Sequence, residues 1–162
     1  MSRRDKHNYY LDIAEQVSNQ CTCLRRHYGA VIVKEDEIIS TGYVGAPRGR
    51  KNCTDINRCI REELGIARGE RYELCRSVHA EANAIISAAR RDMIGSTIYL
   101  VGIDMDTGDY VKRADSCAMC KRLIINSGIV AVCIRDDKDN YRIIDTKDWL
   151  DNDDSLTGVF GY

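Results

Sequence analysis

Two short strings constrain this chain more than any others: VHAEANAIISAAR at residues 78–90 and CAMCKRLIINSG at residues 117–128. The first reads as an alanine-rich helix, the second as a helix with Gly128 as its C-cap. Each opens on reactive side chains, His79 and Glu81 in one, Cys117 and Cys120 in the other. STIYLVGI, a strand by its β-branched and aromatic content, runs between them. Upstream, DKHNYYLDIAEQVSNQ places Tyr10, Ile13, Ala14 and Val17 on one side of a helix. A hairpin follows, with strands over Ala30–Val33 and Ile38–Tyr43 joined by the charged KEDE. IVAVCIRD and YRIID close the set as strands. The order helix, two strands, helix, strand, helix, strand, strand predicts an α/β fold. Its mixed sheet carries helices on both faces, and its strand–helix–strand units are right-handed crossovers. Such sheets place active sites at strand ends and helix N-termini.

At 162 residues the chain is long enough for one domain with a normal core. That domain is expected over residues 1–150, with a polar excursion at 52–78 that carries three cysteines, and an acidic, turn-like tail over 151–162. A helical piece is expected around RCIREELGI inside the excursion. The formal net charge of −1 gives no overall basic field for a nucleic acid or an anionic membrane. The two arginines near the start are not followed by an apolar export segment, and no apolar run reaches membrane-spanning length. A cytoplasmic protein is the expectation, so eight cysteines point to metal before disulfides.

Cys117 and Cys120, three apart at a helix start, share a face, and the helix dipole with its free N–H groups favours their thiolates. His79, at the other helix start, supplies a third ligand. A Cys₂His set with an open fourth position is the pattern of catalytic rather than structural zinc. Two thiolates and a neutral imidazole leave Zn²⁺ formally neutral, so a nearby carboxylate has to take the proton of the bound water. Glu81, two residues past the histidine, points another way around the helix and can serve as that general acid–base. A lone CxxC also suits a redox pair, but no other redox feature accompanies it. A purely structural zinc module would have no use for Glu81.

These pieces, with CLRRHYGAVIV and STGYVGAPRG, resemble the cytidine/deoxycytidylate deaminase superfamily from about Tyr9 to Asp145, and within it the deoxycytidylate (dCMP) deaminase branch. The resemblance implies a three-layer α/β/α fold on a mixed five-stranded sheet. It implies a catalytic zinc on His79, Cys117 and Cys120, proton transfer by Glu81, and attack at C4 of cytosine that turns dCMP into dUMP and ammonia. Ser116 stands where the family usually has proline. Val44 stands where the GYNG of dCMP deaminases has the asparagine that contacts the sugar. The alternative reading is therefore a deaminase of another small nucleoside or nucleobase, and polynucleotide editing is disfavoured by the charge.

Arg48 and Arg50, after the Gly/Pro loop, are candidates for phosphate, as is Arg90, at a position where the family places a phosphate-binding arginine. Tyr141 matches a late tyrosyl phosphate contact. A second, structural zinc is implied on Cys23, Cys53, Cys59 and Cys75, with Cys21 as the substitute for Cys23, while Cys133 reads as core. The family also implies a homo-oligomer, dimer to hexamer, and dCTP and dTTP as effectors.

Overall fold

Helix α1 (Lys6–Ser18) begins where Asp5, in extended backbone, accepts the N–H of Asn8 at 3.0 Å. Its Tyr10, Leu11 and Ala14 are buried, as the sequence periodicity requires. The computed structural model describes residues 2–156, so the expected acidic tail is described only as far as residue 156. Strand β1 (Arg26–Lys34) is longer than its apolar stretch and reaches back through Arg26, His27 and Tyr28. It turns into β2 (Glu37–Tyr43) over Glu35 and Asp36, both with positive φ, at 52° and 63°. Neither residue is glycine, and the turn is held from outside: Lys6 Nζ reaches Asp36 at 2.6 Å, and the Tyr10 hydroxyl donates to the same carboxylate.

The segment at 52–78 holds two single-turn helices, α2 (Cys53–Ile56) and α3 (Ile60–Glu63), the latter inside the stretch read as helical. Then come α4 (Ala80–Ile86), α5 (Arg90–Met93), β3 (Thr97–Asp104), α6 (Ala118–Ser127), β4 (Ala131–Arg135), β5 (Tyr141–Asp145) and α7 (Thr146–Asp151). The five strands form one sheet in the order β2-β1-β3-β4-β5, with β3 and β4 parallel and the other neighbours antiparallel.

Period-two alternation sorts the side chains between two cores. Val31, Val33, Tyr99, Val101 and Cys133 pack against α1. Ala30, Ile32, Ile98, Leu100, Val132 and Ile134 pack on the opposite face, with residues of α4 and α6. The result is the expected three-layer α/β/α arrangement. Since β2 and β3 both run antiparallel to β1, they run parallel to each other, as do β3 and β4. Helices α4 and α6 are thus both crossover helices, and each returns from the carboxyl ends of the strands. Their N-termini lie at one edge of the sheet.

Helix α4 is shorter than its alanine content predicts. The hydroxyl of Ser40, on β2, donates to the Ala84 carbonyl at 2.7 Å. A continuing helix would use that carbonyl for the N–H of Ala88, which instead bonds Ile85 at 3.2 Å. The chain leaves the helix at Ser87 and restarts at Arg90, which lets Met93 reach the core. Helix α7 also falls partly in the expected tail; its N-cap is Asp145, which accepts the Lys147 N–H at 2.8 Å.

Arg135, at the end of β4, is 1 % exposed and crosses to α1. It bonds Asp12 at 2.7 Å and Glu15 at 2.8 Å, and reaches Asn8 Oδ1 at 3.1 Å. Burial pushes the Asp12 carboxyl up, but Arg4 and Arg135 outweigh it and hold it below its usual value. Arg135→Met should therefore cost about 2–3 kcal/mol at neutral pH, because both acids keep partial solvent contact. A depressed carboxylate contributes stability above its unfolded pKa and loses it as pH falls through the folded one. The gap between the two proteins in urea denaturation should accordingly close below about pH 3. A gap that does not change with pH would show that the ion pairs contribute nothing.

Candidate metal and active site

His79 is the N-cap of α4 and Cys117 the N-cap of α6, both in extended backbone just before the first turn. Cys120 lies one turn into α6. His79 Nδ1 is 3.5 Å from the sulfur of each cysteine. The three ligand atoms lie within 4.8 Å of one another, the group among the described residues with metal-binding spacing. Both cysteines are buried. The neighbouring Cys120 thiol and the His79 ring hold the Cys117 thiol below its usual value, against the effect of burial. Cys120, as the donor of that pair and buried, is pushed up. Burial lowers the basicity of His79, but contact with Cys117 and the charge of Glu81 outweigh it and leave it raised.

Two soft thiols and an imidazole nitrogen at this spacing fit zinc, and the remaining side faces a cavity rather than protein. Tyr72 meets the His79 ring edge-on at 5.0 Å between centroids and sets its plane. Glu81 is 5 % exposed and lies outside the three-ligand group. Burial pushes its carboxyl above the usual range, against the pull of His79. Ser116, itself 1 % exposed, is close enough to favour the carboxylate, without completing a hydrogen bond of ordinary geometry.

Glu81, His79 and Cys117 line the inner part of one cavity, together with Val44. Arg25, Arg26, Arg61 and Arg68 line the same space with Tyr28 and Tyr72. The arginines expected at phosphate are elsewhere. Arg48 and Arg50 are exposed on the loop after β2 and do not line the cavity. Arg90 is exposed and donates to the Asn126 carbonyl at 2.7 Å, at the far end of α6. Tyr141 packs on the α1 face of the sheet, 5.1 Å from the His7 ring, and so on the face away from the metal site. The wall arginines were not singled out in the sequence, because nothing local marks which charged residues face a cavity.

Cys23, Cys59 and Cys75 also line the cavity. Burial raises the Cys75 thiol, with Cys23 and Cys53 adding to the rise, so those three are near one another. As placed, they do not reach the mutual 4.8 Å spacing of the first group. Cys21 donates its thiol to the Tyr28 carbonyl at 3.0 Å, and burial raises it to about 11. Cys133 is fully buried among the residues beneath α1, as read from its strand.

Known proteins carry the same pattern. The profile of the cytidine and deoxycytidylate deaminase zinc-binding region matches residues 4–135. The deoxycytidylate deaminase of Mycobacterium phage D29 is 36% identical over 137 residues, which cover 82% of this chain and 95% of that one. That of Saccharomyces cerevisiae is 32% identical over 143 residues, 85% of this chain but 41% of its own length. The chain thus spans less than half of that yeast relative. In fold it is similar to the dCMP deaminase of cyanophage S-TIM5, solved in complex with dCMP and dUMP, with a TM-score of 0.55 and 22% identity over 83% of this chain and 84% of the other. With the zinc-binding profile running through His79, Cys117 and Cys120, and a phage relative matched over nearly its whole length, the chain belongs to the cytidine and deoxycytidylate deaminase family.

Proposed function

We propose that this protein hydrolyses the exocyclic amino group of a cytosine nucleotide, converting dCMP to dUMP and ammonia. The observation that carries the reading is a buried carboxyl, Glu81, beside a three-ligand set whose free side opens into a cavity. Zinc on His79, Cys117 and Cys120 supplies Lewis-acid activation, so that water becomes a nucleophile at neutral pH. The other steps belong to the chain. Glu81 takes one proton from water and passes it to the ring nitrogen, then takes the second from the hydroxyl now on the ring carbon and hands it to the amine, which departs as ammonia and leaves a carbonyl. Its raised proton affinity suits both directions of transfer. Val44 and Tyr28 offer an apolar wall for a flat ring, and closure of the sheet edge by α4 and α6 keeps bulk water from the carboxyl.

Val44 favours one second reading, in which the sugar or base differs from that of dCMP, because valine offers no hydrogen bond at the wall. The deoxycytidylate deaminases among the relatives support dCMP first. We further assign a structural zinc to Cys23, Cys53, Cys59 and Cys75, supported by their shared neighbourhood in a segment with few buried apolar residues. No helix among the described residues is long and apolar enough to cross a membrane, and the eight free cysteines suit a cytoplasmic setting. Ile86, Ile94 and Leu123, exposed on or beside the crossover helices, support a homo-oligomer of two to six chains, with dCTP and dTTP as expected effectors.

Ammonia release from dCMP, dCTP, deoxycytidine and CMP tests the substrate, with dCMP expected to turn over fastest. No turnover of any of the four by zinc-loaded protein would move the substrate elsewhere. Glu81→Gln should lose about 10³-fold in kcat while keeping its zinc; an active variant would remove the proposed proton path. Elemental analysis should find two zinc ions per chain and one in a Cys59→Ser, Cys75→Ser double variant. A single zinc in the unaltered protein would rule out the second site.

A further inference from the structure

The two stretches that carry the metal ligands are held by different means. His79 follows Val78, whose N–H and carbonyl both bond Gly45, just past β2, at 2.7 and 3.3 Å. Backbone bonds therefore deliver the histidine to the sheet edge. Cys117 has no such tie beside it. After β3 the chain is pinned by the Val111 N–H, which bonds the Gly102 carbonyl at 2.8 Å, and by the Lys112 carbonyl, which accepts Arg68 Nη2 at 3.2 Å. Over residues 113–116 no backbone hydrogen bond reaches another element among the described residues. Arg113 takes a positive φ of 54°, and Ser116 lacks the fixed φ that a proline would bring. The Ser116 hydroxyl is buried without completing a bond. Ala114 is fully buried, but one methyl group sets depth and not direction.

One side chain supplies the missing tie. Arg142, on the edge strand β5, shares a sheet face with Ile144, which packs against the core beneath α4 and α6. Its Nη1 donates to the Asp115 carboxylate at 2.7 Å, and its Nε to Asp136 at 3.0 Å. Asp115 stands two residues before Cys117, and both side chains of the pair are largely buried, 24 % and 33 % exposed. Among the described residues this is the one hydrogen bond or ion pair that joins residues 113–116 to another element. A guanidinium is planar and rigid, so a fork held by Asp136 on one side offers Asp115 a donor of fixed direction. The bond thereby fixes the approach of the chain to Cys117. Arg142 does not line the cavity, so it cannot act by touching a ligand there.

We propose that Arg142 is a positioning residue for the metal centre: acting through Asp115, it orients Cys117 and so slows release of zinc from His79, Cys117 and Cys120. The proposal rests on the zinc deaminase reading of the site and gives β5 a part in it. Residues that orient metal ligands from one layer out change metal affinity by about 10- to 100-fold. The bond to Asp115 is partly open to solvent, so the lower end of that range applies. A purely structural Arg142 would stabilise the edge strand through either carboxylate alike and leave zinc release unchanged.

The test follows transfer of zinc to a chelating dye from the unaltered zinc-loaded protein and from Arg142→Met, Asp115→Asn and Asp136→Asn. Cys117→Ser, which removes one ligand, identifies the release phase that belongs to this site. In Arg142→Met and in Asp115→Asn that phase should be about 10-fold faster. Combining the two should add nothing further, since each breaks the same bond. Asp136→Asn should release zinc at the unaltered rate, and Arg142→Lys should recover part of the loss. Unchanged release in both Arg142→Met and Asp115→Asn overturns the positioning role, as does an equal acceleration in Asp136→Asn. Should Arg142→Met fail to fold, Asp115→Asn decides, because it is nearly isosteric and leaves Arg142 with Asp136. Zinc-loaded protein that is inactive on dCMP but shows the expected release pattern would overturn the substrate reading alone. Unaltered protein that retains no zinc would overturn the metal reading and this proposal with it.

Discussion

A β-carbon on Gly42 would sit 2.3 Å from both the carbonyl oxygen of Ala80 and the amide nitrogen of Ala84. The backbone of α4 occupies that space, so the helix rests directly on β2 with no side chain between them. The seat is strengthened by Asn83, whose Nδ2 donates to the Tyr43 carbonyl at 2.8 Å, at the end of the same strand. Everything at the site follows from this contact. Residue 79, one step before the helix, is delivered to the sheet edge where α6 also begins. Glu81, in the first turn, is carried under the cavity wall instead of into solvent. Gly29 plays the matching part on the other face, where a β-carbon would meet the Ala14 carbonyl at 2.0 Å. The two helical layers are held close to the sheet by the absence of two methyl groups.

Charge is organised locally in a way that the whole-chain sum conceals. A net charge of −1 describes a nearly neutral protein. Yet four arginines line one cavity, where Arg25 pairs with Glu62 and Arg26 with Asp104, while other carboxyls are spent on ion pairs elsewhere. Asp12 and Glu15 serve Arg135 on the α1 face, and Asp36 serves Lys6 at the hairpin turn. The same low-polarity setting that raises Glu81 strengthens any charge contact a ligand makes there.

What could be read from the sequence depended on whether the signal was local. The succession of helices and strands and the α6 cap at Gly128 follow from periodicity and local residue types, the meeting of His79 with Cys117 and Cys120 from ligand chemistry and the family resemblance, and the structure has them. The end of α4 is set by Ser40, more than forty residues upstream and on another element, so alanine content overstated the helix. Strand β1 extends into Arg26–Tyr28 because β3 pairs with it along that length, which no local apolar run announces. The phosphate candidates show the same limit. Arg48, Arg50 and Arg90 were singled out by position in the chain, and none of them lines the cavity.

The sheet and its two crossover helices supply the reaction centre, and the 52–78 segment supplies much of the wall that a substrate must pass. That segment has few buried apolar residues and is tied by polar contacts: Arg58 with Glu63 at 2.7 Å, Arg76 with the Lys51 carbonyl at 2.8 Å, and a backbone bridge from Val78 to Gly45. Polar ties of this kind are individually weak, so the segment is the part of the molecule least able to order itself alone. Its cysteines bear on that weakness. A metal cluster among Cys23, Cys53, Cys59 and Cys75 would fix the segment without adding apolar mass. The reacting groups and the 52–78 wall thus sit on separate parts of the chain, with the seat of α4 on Gly42 keeping the reacting groups in place.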